Sequence, residues 1–328
     1  MGPEVSVAAA ARLRGGGVVL VGDPAVLDAA AEVVGVSRNR LVRLAAGASP
    51  PRGKIGVVAA GPALAARDFR PGAPSRSAGR AQLAYVDAAY ALCRDRRGVA
   101  LVSGPVSKAA IARSGAPGAA GFLGHTEWLR DADGAGHATM CFAAEGMVTS
   151  LVTTHLPIAR VPAAITASGV RDATVDLAAL LGALGVRRPR IAVASLNPHA
   201  GESELLGTEE RRAIVPGIRR ARAKLGRRAT LVGPVGAETA YRLMAAGRYD
   251  GVVAMYHDQA TIPMKLTSFG EAVNVTMGLS VARTSVDHGT AYDIAWRGEA
   301  DPAGMLSAMA LGARLAGARP VRVGARSR

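Results

Sequence analysis

Cysteine and aromatic residues are scarce in this chain. There are two cysteines in 328 residues, and Phe, Trp and Tyr together make up 4%. Two thiols cannot build the bridged framework of a small secreted scaffold. Cys93 and Cys141 sit in apolar surroundings and are expected as buried, reduced thiols of a cytoplasmic protein. With so few aromatics there is no stacking platform for bases. The net charge is +15, but the arginines are scattered among alanines without a long basic run. That charge is expected as solvated surface with a few residues recruited for anionic small molecules, and no nucleic-acid partner is expected. No apolar run reaches the roughly 18 residues that span a bilayer, so no membrane partner is expected either. Met1-Gly2-Pro3-Glu4 lacks the basic-then-apolar order of a signal peptide. No G-x-G-x-x-G follows an expected strand, which excludes the ordinary dinucleotide fingerprint. Internal repeats and low-complexity linkers are absent too.

What the chain does have is 49% hydrophobic residues, enough for a sizeable core, and a length suited to two domains. Short β-branched runs alternate with Ala/Leu-rich stretches of helical period. Strands are predicted at Val18–Gly22, Ile55–Ala59, Val99–Ser103, Ala138–Ala143, Val148–Thr153, Arg190–Ser195, Thr230–Val232, Gly251–Met255 and Ala272–Thr276. Helices are predicted at Gly79–Arg94, Ser107–Arg113, Val170–Leu184, Thr208–Leu225, Ala237–Ala246 and Pro302–Leu315. This alternation reads as an α/β fold with a mainly parallel sheet.

Polar residues follow directly on several apolar runs: Ser103-Gly104-Pro105, Thr154-His155, Asn197-Pro198-His199 and Tyr256-His257-Asp258. Ligands of open α/β sheets collect beyond the carboxyl ends of strands, so these positions point to one site. His155, His199 and His257 each come after a strand and could form a facial set of neutral imidazole ligands. Their wide separation leaves a metal site and three unrelated histidines both open. Gly124-His125-Thr126-Glu127 opens a helix and reads either as an anion site or as an ordinary N-cap. Lys265, Asn274 and Arg283 have the chemistry to hold phosphate, carboxylate or hydroxyl, or are solvated residues. In Asp287-His288-Gly289-Thr290-Ala291-Tyr292-Asp293, small residues would let a ligand approach the backbone.

The strings GPVSK, GHTEW, TTHLPIARVPAAIT, LNPHAGE, GTEE, AMYHDQATIPMKL, AVNVTMGL and RTSVDHGTAYDIA together resemble the PdxA family, in order from Gly2 to about Leu315. The tail from Asp287 is similar to the NAD-binding segment of isopropylmalate dehydrogenases. The resemblance implies an isocitrate/isopropylmalate-dehydrogenase-like fold, with two α/β/α domains and a cleft between them. Residues 1–122 with 284–328 are expected on the cofactor side, and 123–283 on the metal, substrate and dimerisation side. It implies metal ligation by His155, His199 and His257, with the ligands shared across a homodimer. Zn2+ is the expected ion, with Mg2+ or Co2+ as alternatives. Substrate binding falls on His125, Thr126, Lys265, Asn274 and Arg283, and binding of NAD or NADP on His288, Gly289, Thr290 and Asp293. The implied chemistry is oxidation of a phosphorylated 3-hydroxy acid, with hydride passing to a nicotinamide and the β-keto acid losing carbon dioxide. The substrate expected first is 4-phosphohydroxy-L-threonine, an intermediate of pyridoxal 5'-phosphate biosynthesis. Lys108 in GPVSK is the candidate proton acceptor, and Asp258 a second candidate catalytic group. The rival readings are a threonate or erythronate 4-phosphate dehydrogenase, a cis-dihydrodiol dehydrogenase, and a noncatalytic metal- or nucleotide-binding homologue.

The sequence departs from the family pattern in places. Glu238 stands for a common Asp near the metal site, Trp296 for a Gly, and Ser280 for a Pro, and Gly118–Ala120 is a small insertion. The chain opens inside the family's GDPAGxGPE motif. The sheet is therefore expected to lack a first strand, with a start further upstream as one explanation.

Overall fold

The computed structural model describes residues 1–69, 72–268, 270–317 and 322–323. The strands are β1 (Leu13–Arg14), β2 (Val18–Gly22), β3 (Leu41–Arg43), β4 (Ile55–Ala59), β5 (Ala100–Ser103), β6 (Thr139–Ala144), β7 (Met147–Leu151), β8 (Arg190–Ala194), β9 (Thr230–Val235), β10 (Gly251–Ala254), β11 (Val273–Met277), β12 (Ala282–Val286) and β13 (Arg322–Val323). Helices alternate with them, as expected for an α/β protein. Two contact-dense units result: Met1–Ala135 with the described residues from Leu279 onward, and Gly136–Gly278. His125, Thr126 and Arg283 thus belong to the first unit. No described helix is long and apolar enough to cross a membrane.

In the first unit, β2, β4 and β3 form a parallel sheet in that order, β5 runs parallel to β12, and β1 pairs antiparallel with β13. Helices start where the sequence supplies caps. The Asp23 carboxylate accepts from Ala25 N at 2.7 Å ahead of Pro24–Val33, and Ser75 Oγ accepts from Ala78 N at 3.0 Å ahead of Arg76–Cys93. Residues 2–12 form a helix that buries Val5, Val7 and Ala9 against Leu20, Ile55 and Met305. Residues of β2 and β5 border a cavity of about 860 Å3, together with Met1, His125, Thr290 and Trp296.

The second unit is one sheet of order β11-β6-β7-β10-β8-β9. β11, β6 and β7 pair antiparallel, and β7, β10, β8 and β9 run parallel. β8 and β10 are buried over nearly their whole length, which is why they read as continuous apolar runs. Helix Ala167–Ala183 covers the sheet with Leu177, Leu180 and Leu181 fully buried. Helix Val215–Leu225 lies close against it. A Cβ on Gly217 would come within 2.5 Å of Val170 Cβ, so glycine is what permits the approach.

Several elements lie outside the sequence-based expectation: Gly2–Arg12 and Pro24–Val33 form helices, His257–Ser268 forms a helix despite Pro263, and Leu41–Arg43 and Ala282–Val286, the latter with Arg283 in it, form strands.

Candidate active site

β7, β10 and β8 are adjacent and parallel, so the chain leaves all three at the same end of the second unit. The ladder continues past the β7–β10 pair through Val152 N to Ala254 O at 2.9 Å and Thr153 N to Met255 O at 3.2 Å. His155 and His257 follow directly, with ring centroids 5.4 Å apart and planes tilted by 39°. Nδ1 of His257 lies 2.7 Å from Oδ1 of Asp258. An ionised carboxylate only accepts, so Nδ1 is the donor, and in the neutral ring that leaves the lone pair on Nε2. This is the arrangement that fixes a metal-ligating imidazole, so the donor set fits a borderline-soft divalent ion. Among the described residues no three His, Cys, Asp or Glu side chains gather as a metal cluster within the one chain.

His199 follows β8 in an unusual turn. Its φ is 52°, and φ stays positive through Ala200 (54°), Gly201 (84°), Glu202 (42°), Ser203 (56°) and Glu204 (75°). Left-handed backbone costs an L-residue roughly 1–2 kcal/mol each, so other contacts must hold this turn. Glu210 Oε1 accepts from Leu196 N and Asn197 N, both at 2.9 Å, and Oε2 accepts from Asn197 Nδ2 at 2.9 Å. Glu209 Oε2 also accepts from Asn197 Nδ2, at 2.8 Å, and that bond pulls the Glu209 carboxyl below its usual range. Gln259 ties the neighbouring strand ends together: its Oε1 accepts from Met255 N at 2.6 Å and its Nε2 donates to Ser195 O at 2.9 Å. Lys265 is exposed on the helix that begins at His257. Asn274 lies in β11 with its Oδ1 buried and without a partner, an acceptor open to a ligand donor.

A second cluster belongs to the first unit. Arg283 in β12 is 2% exposed, and its Nε donates to Ser103 Oγ at 3.4 Å. Burial pushes its guanidinium down to about 10, while the Glu127 carboxylate pulls it back up. Lys108 opens a short helix capped by Ser107, and its ammonium lies beside Gly124. A Cβ at Gly124 would sit 3.5 Å from Lys108 Nζ and 3.1 Å from Glu127 Oε2. His125 starts the helix His125–Asp133, with Thr126 buried behind it. Burial, then Arg283 and Lys108, lower the His125 imidazole to about 3, so it stays neutral and offers hydrogen bonds, not charge.

The segment expected to bind the cofactor follows β12. Thr290 borders the cavity, while His288, Gly289 and Asp293 are exposed. His288 Nδ1 is 3.2 Å from Gly289 O. Trp296 has φ of 64°, a backbone suited to the glycine usual there. Its amide donates to Glu4 Oε2 at 2.9 Å, and the Gly298 amide donates to Glu4 Oε1 at 3.2 Å. The carboxylate of buried Glu4 thus pins the end of this segment.

A family profile described as "Pyridoxal phosphate biosynthetic protein PdxA" matches residues 16–312. The chain belongs to the PdxA family. Among curated PdxA relatives, the 4-hydroxythreonine-4-phosphate dehydrogenase of Xanthomonas oryzae pv. oryzae is 40% identical over 322 residues, 97% of this chain and 96% of that protein. The enzyme of the same name from Acidithiobacillus ferrooxidans is 40% identical over 310 residues, covering 94% and 91%. The crystal structure of 4-hydroxythreonine-4-phosphate dehydrogenase from Klebsiella pneumoniae superposes with a TM-score of 0.77 at 32% identity, covering 96% of this chain and 97% of that one. A terephthalate 1,2-cis-dihydrodiol dehydrogenase from Burkholderia xenovorans superposes with a TM-score of 0.65 at 31% identity, covering 97% and 94%. These PdxA neighbours bear out the α/β fold, and dehydrogenase relatives imply a nicotinamide cofactor.

Two departures from the PdxA pattern have visible surroundings. Ser280 N donates to Asp133 Oδ2 at 3.0 Å, a bond a proline could not make, and Tyr90 donates to the same carboxylate at 2.8 Å. Glu238 is exposed at a helix start, bonded to Thr239 and to Arg242 at 2.8 Å. Reading the sequence for site residues overlooked Glu127, Glu210 and Gln259. Each lay inside a quoted motif (GHTEW, GTEE, YHDQ), but nothing local marks a carboxylate or amide that acts on distant backbone.

Proposed function

We propose that this protein is a 4-hydroxythreonine-4-phosphate dehydrogenase: it oxidises 4-phosphohydroxy-L-threonine with NAD in the presence of a divalent ion, most simply Zn2+, with Mg2+ or Co2+ as alternatives. The observation that carries this is the Asp258–His257 pair beside His155, in a chain matched over nearly its full length by dehydrogenases of that name. When bound, the ion supplies positive charge to the reacting oxygen and the nicotinamide accepts the hydride.

The chain's own residues divide the remaining work. The buried guanidinium of Arg283 and the ammonium of Lys265 offer cations to a doubly anionic substrate. Neutral His125 and the Thr126 hydroxyl add hydrogen bonds, and Asn274 Oδ1 accepts from a substrate hydroxyl or ammonium. Lys108 Nζ, as the neutral amine, takes up the hydroxyl proton and becomes the ammonium. Asp258 acts through His257 by holding its tautomer, a role different from direct catalysis. The segment His288, Gly289, Thr290 and Asp293 contacts the cofactor.

We further infer a homodimer that completes the site. His155, His199 and His257 do not gather as a trio within one chain. Ile158 (68%), Leu205 (81%) and Leu266 (82%) are exposed apolar residues close in sequence to these ligands, a costly surface unless covered. The two cysteines are buried and unpaired, which suits a reducing, cytoplasmic compartment.

The likeness to a terephthalate dihydrodiol dehydrogenase supports a second reading, and the buried Arg283 suits either substrate, since its guanidinium holds a carboxylate as well as a phosphate. The deciding experiment follows NADH absorbance on a panel of 4-phosphohydroxy-L-threonine, threonate and erythronate 4-phosphates and a cis-dihydrodiol. Turnover of the first, abolished by chelator and restored by zinc or cobalt, is expected. Turnover of the dihydrodiol alone would overturn the assignment, and no turnover with any of them, despite metal binding, would favour a noncatalytic homologue.

A further inference from the structure

The turn that presents His199 is built against the preferences of its own residues. From His199 to Glu204 the backbone is left-handed throughout, with glycine only at Gly201. L-residues visit this region singly and seldom in succession. The same turn carries the third of the proposed metal ligands, so its shape decides where that imidazole sits.

At the entrance to the turn the strain is opposed by a buried carboxylate. Glu210 is 6% exposed and lies at the start of the wide-turned helix Glu210–Ile214. Its two oxygens accept three hydrogen bonds of 2.9 Å, from Leu196 N, Asn197 N and Asn197 Nδ2, and so fix the entrance to the turn. Oε2 also lies against the turn's middle: a Cβ on Gly201 would sit 3.1 Å from it. The exit is closed by Leu206 N to Gly201 O at 3.1 Å and by the Arg211–Glu204 ion pair. A buried carboxylate that accepts several amide hydrogens is a strong and directional clamp.

We propose that Glu210 is a positioning residue: its carboxylate holds the left-handed turn 199–204, and thereby sets the His199 imidazole where it can ligate the ion. The proposal rests on His199 being a metal ligand, as the proposed function has it. Replacement by glutamine keeps the size and one acceptor oxygen but sets an amide NH2 against the NH2 of Asn197. The turn then loses one of its fixings and relaxes toward right-handed backbone, carrying His199 away. Aspartate keeps the charge and both acceptors on a stem one carbon shorter.

The test titrates zinc, and separately cobalt(II), into metal-free full-length protein carrying Glu210→Gln, Glu210→Asp or His199→Ala. Thermal unfolding and the hydrogen exchange of amides 196–207 are measured on each metal-free variant. Loss of a group that orients a ligand typically weakens metal binding 10- to 100-fold. Glu210→Gln is therefore expected to weaken zinc binding by that factor, to alter the cobalt visible spectrum, and to speed exchange in 196–207 while the rest of the unit stays protected. Glu210→Asp should recover part of the affinity, and it serves as the test variant if the glutamine protein does not fold. If His199→Ala weakens binding while a folded Glu210 variant binds zinc with unchanged affinity and spectrum, the positioning role is overturned and the ligand reading stands. If His199→Ala itself leaves affinity unchanged, His199 is no ligand and both readings fall.

Discussion

Asp258 Oδ1 lies 2.7 Å from Nδ1 of His257, the residue before it in the chain. The contact joins the first two residues of a helix whose N-terminus follows directly from β10. It fixes which ring nitrogen carries the proton, and so which can ligate.

If Asp258 works through His257, Asp258→Asn should weaken zinc binding by roughly 10- to 100-fold, read by competition with a chromogenic chelator. At saturating metal, kcat should recover most of its value. A direct acid–base role would give the opposite pattern, with affinity kept and kcat lost.

Arg283 is the buried cation of the proposed anion site. Arg283→Ala removes a charge-assisted contact of about 1.5–3 kcal/mol and should lower kcat/KM for the phosphorylated substrate roughly ten- to a hundredfold. NADH affinity, followed by fluorescence titration, should change little. Arg283→Lys is expected to rescue only part, because the ammonium lacks the planar fork.

His125 gives the protein an acid-sensitive stability. Its folded-state pKa is lowered from 6.5 to about 3 by burial and by Arg283 and Lys108. Between these values the unfolded chain takes up a proton that the folded chain refuses, so falling pH favours unfolding by about 1.4 kcal/mol per pH unit. Above pH 6.5 the effect vanishes. Urea denaturation from pH 7 to pH 4 should show this slope, and His125→Gln should lack its share of it.

Glu4 accepts the amides of Trp296 and Gly298 from across the sequence. Glu4→Ala leaves both without an acceptor, at a cost of about 1–3 kcal/mol for each that stays buried. The Tm should drop, and NADH binding should weaken because Trp296 relies on this contact to keep its left-handed backbone. A lowered Tm with unchanged NADH affinity would separate the 296–298 segment from the cofactor site.

Much of the fold was legible because parallel strands of an α/β fold announce themselves: the half-buried VVLVG and the buried IGVVA, IAVA and GVVA are apolar without alternation, and each forms the strand expected. The strand ends were legible too, since polar residues directly after such runs must lie at the carboxyl edge of a sheet. Other elements were hidden by a local contradiction. A proline masked the helix His257–Ser268, and a buried arginine masked β12, where surrounding groups make acceptable what the residue alone disfavours. No local rule points to a left-handed turn through His199, Glu202, Ser203 and Glu204, because the carboxylate clamping it starts eleven residues after His199.

By itself, then, the sequence determined the α/β alternation, the polar strand ends and the chemical identity of the candidate ligands and cations. Which of them meet was decided by strand order. His155 and His257 are neighbours because β7 pairs with β10, and pairing between strands so far apart in the chain depends on packed side chains and hydrogen-bonded edges that exist only once the sheet has formed. The depressed imidazole of His125 and the buried charge of Arg283 have the same origin, since burial and neighbouring charges shift an ionisable group and both are supplied by tertiary structure.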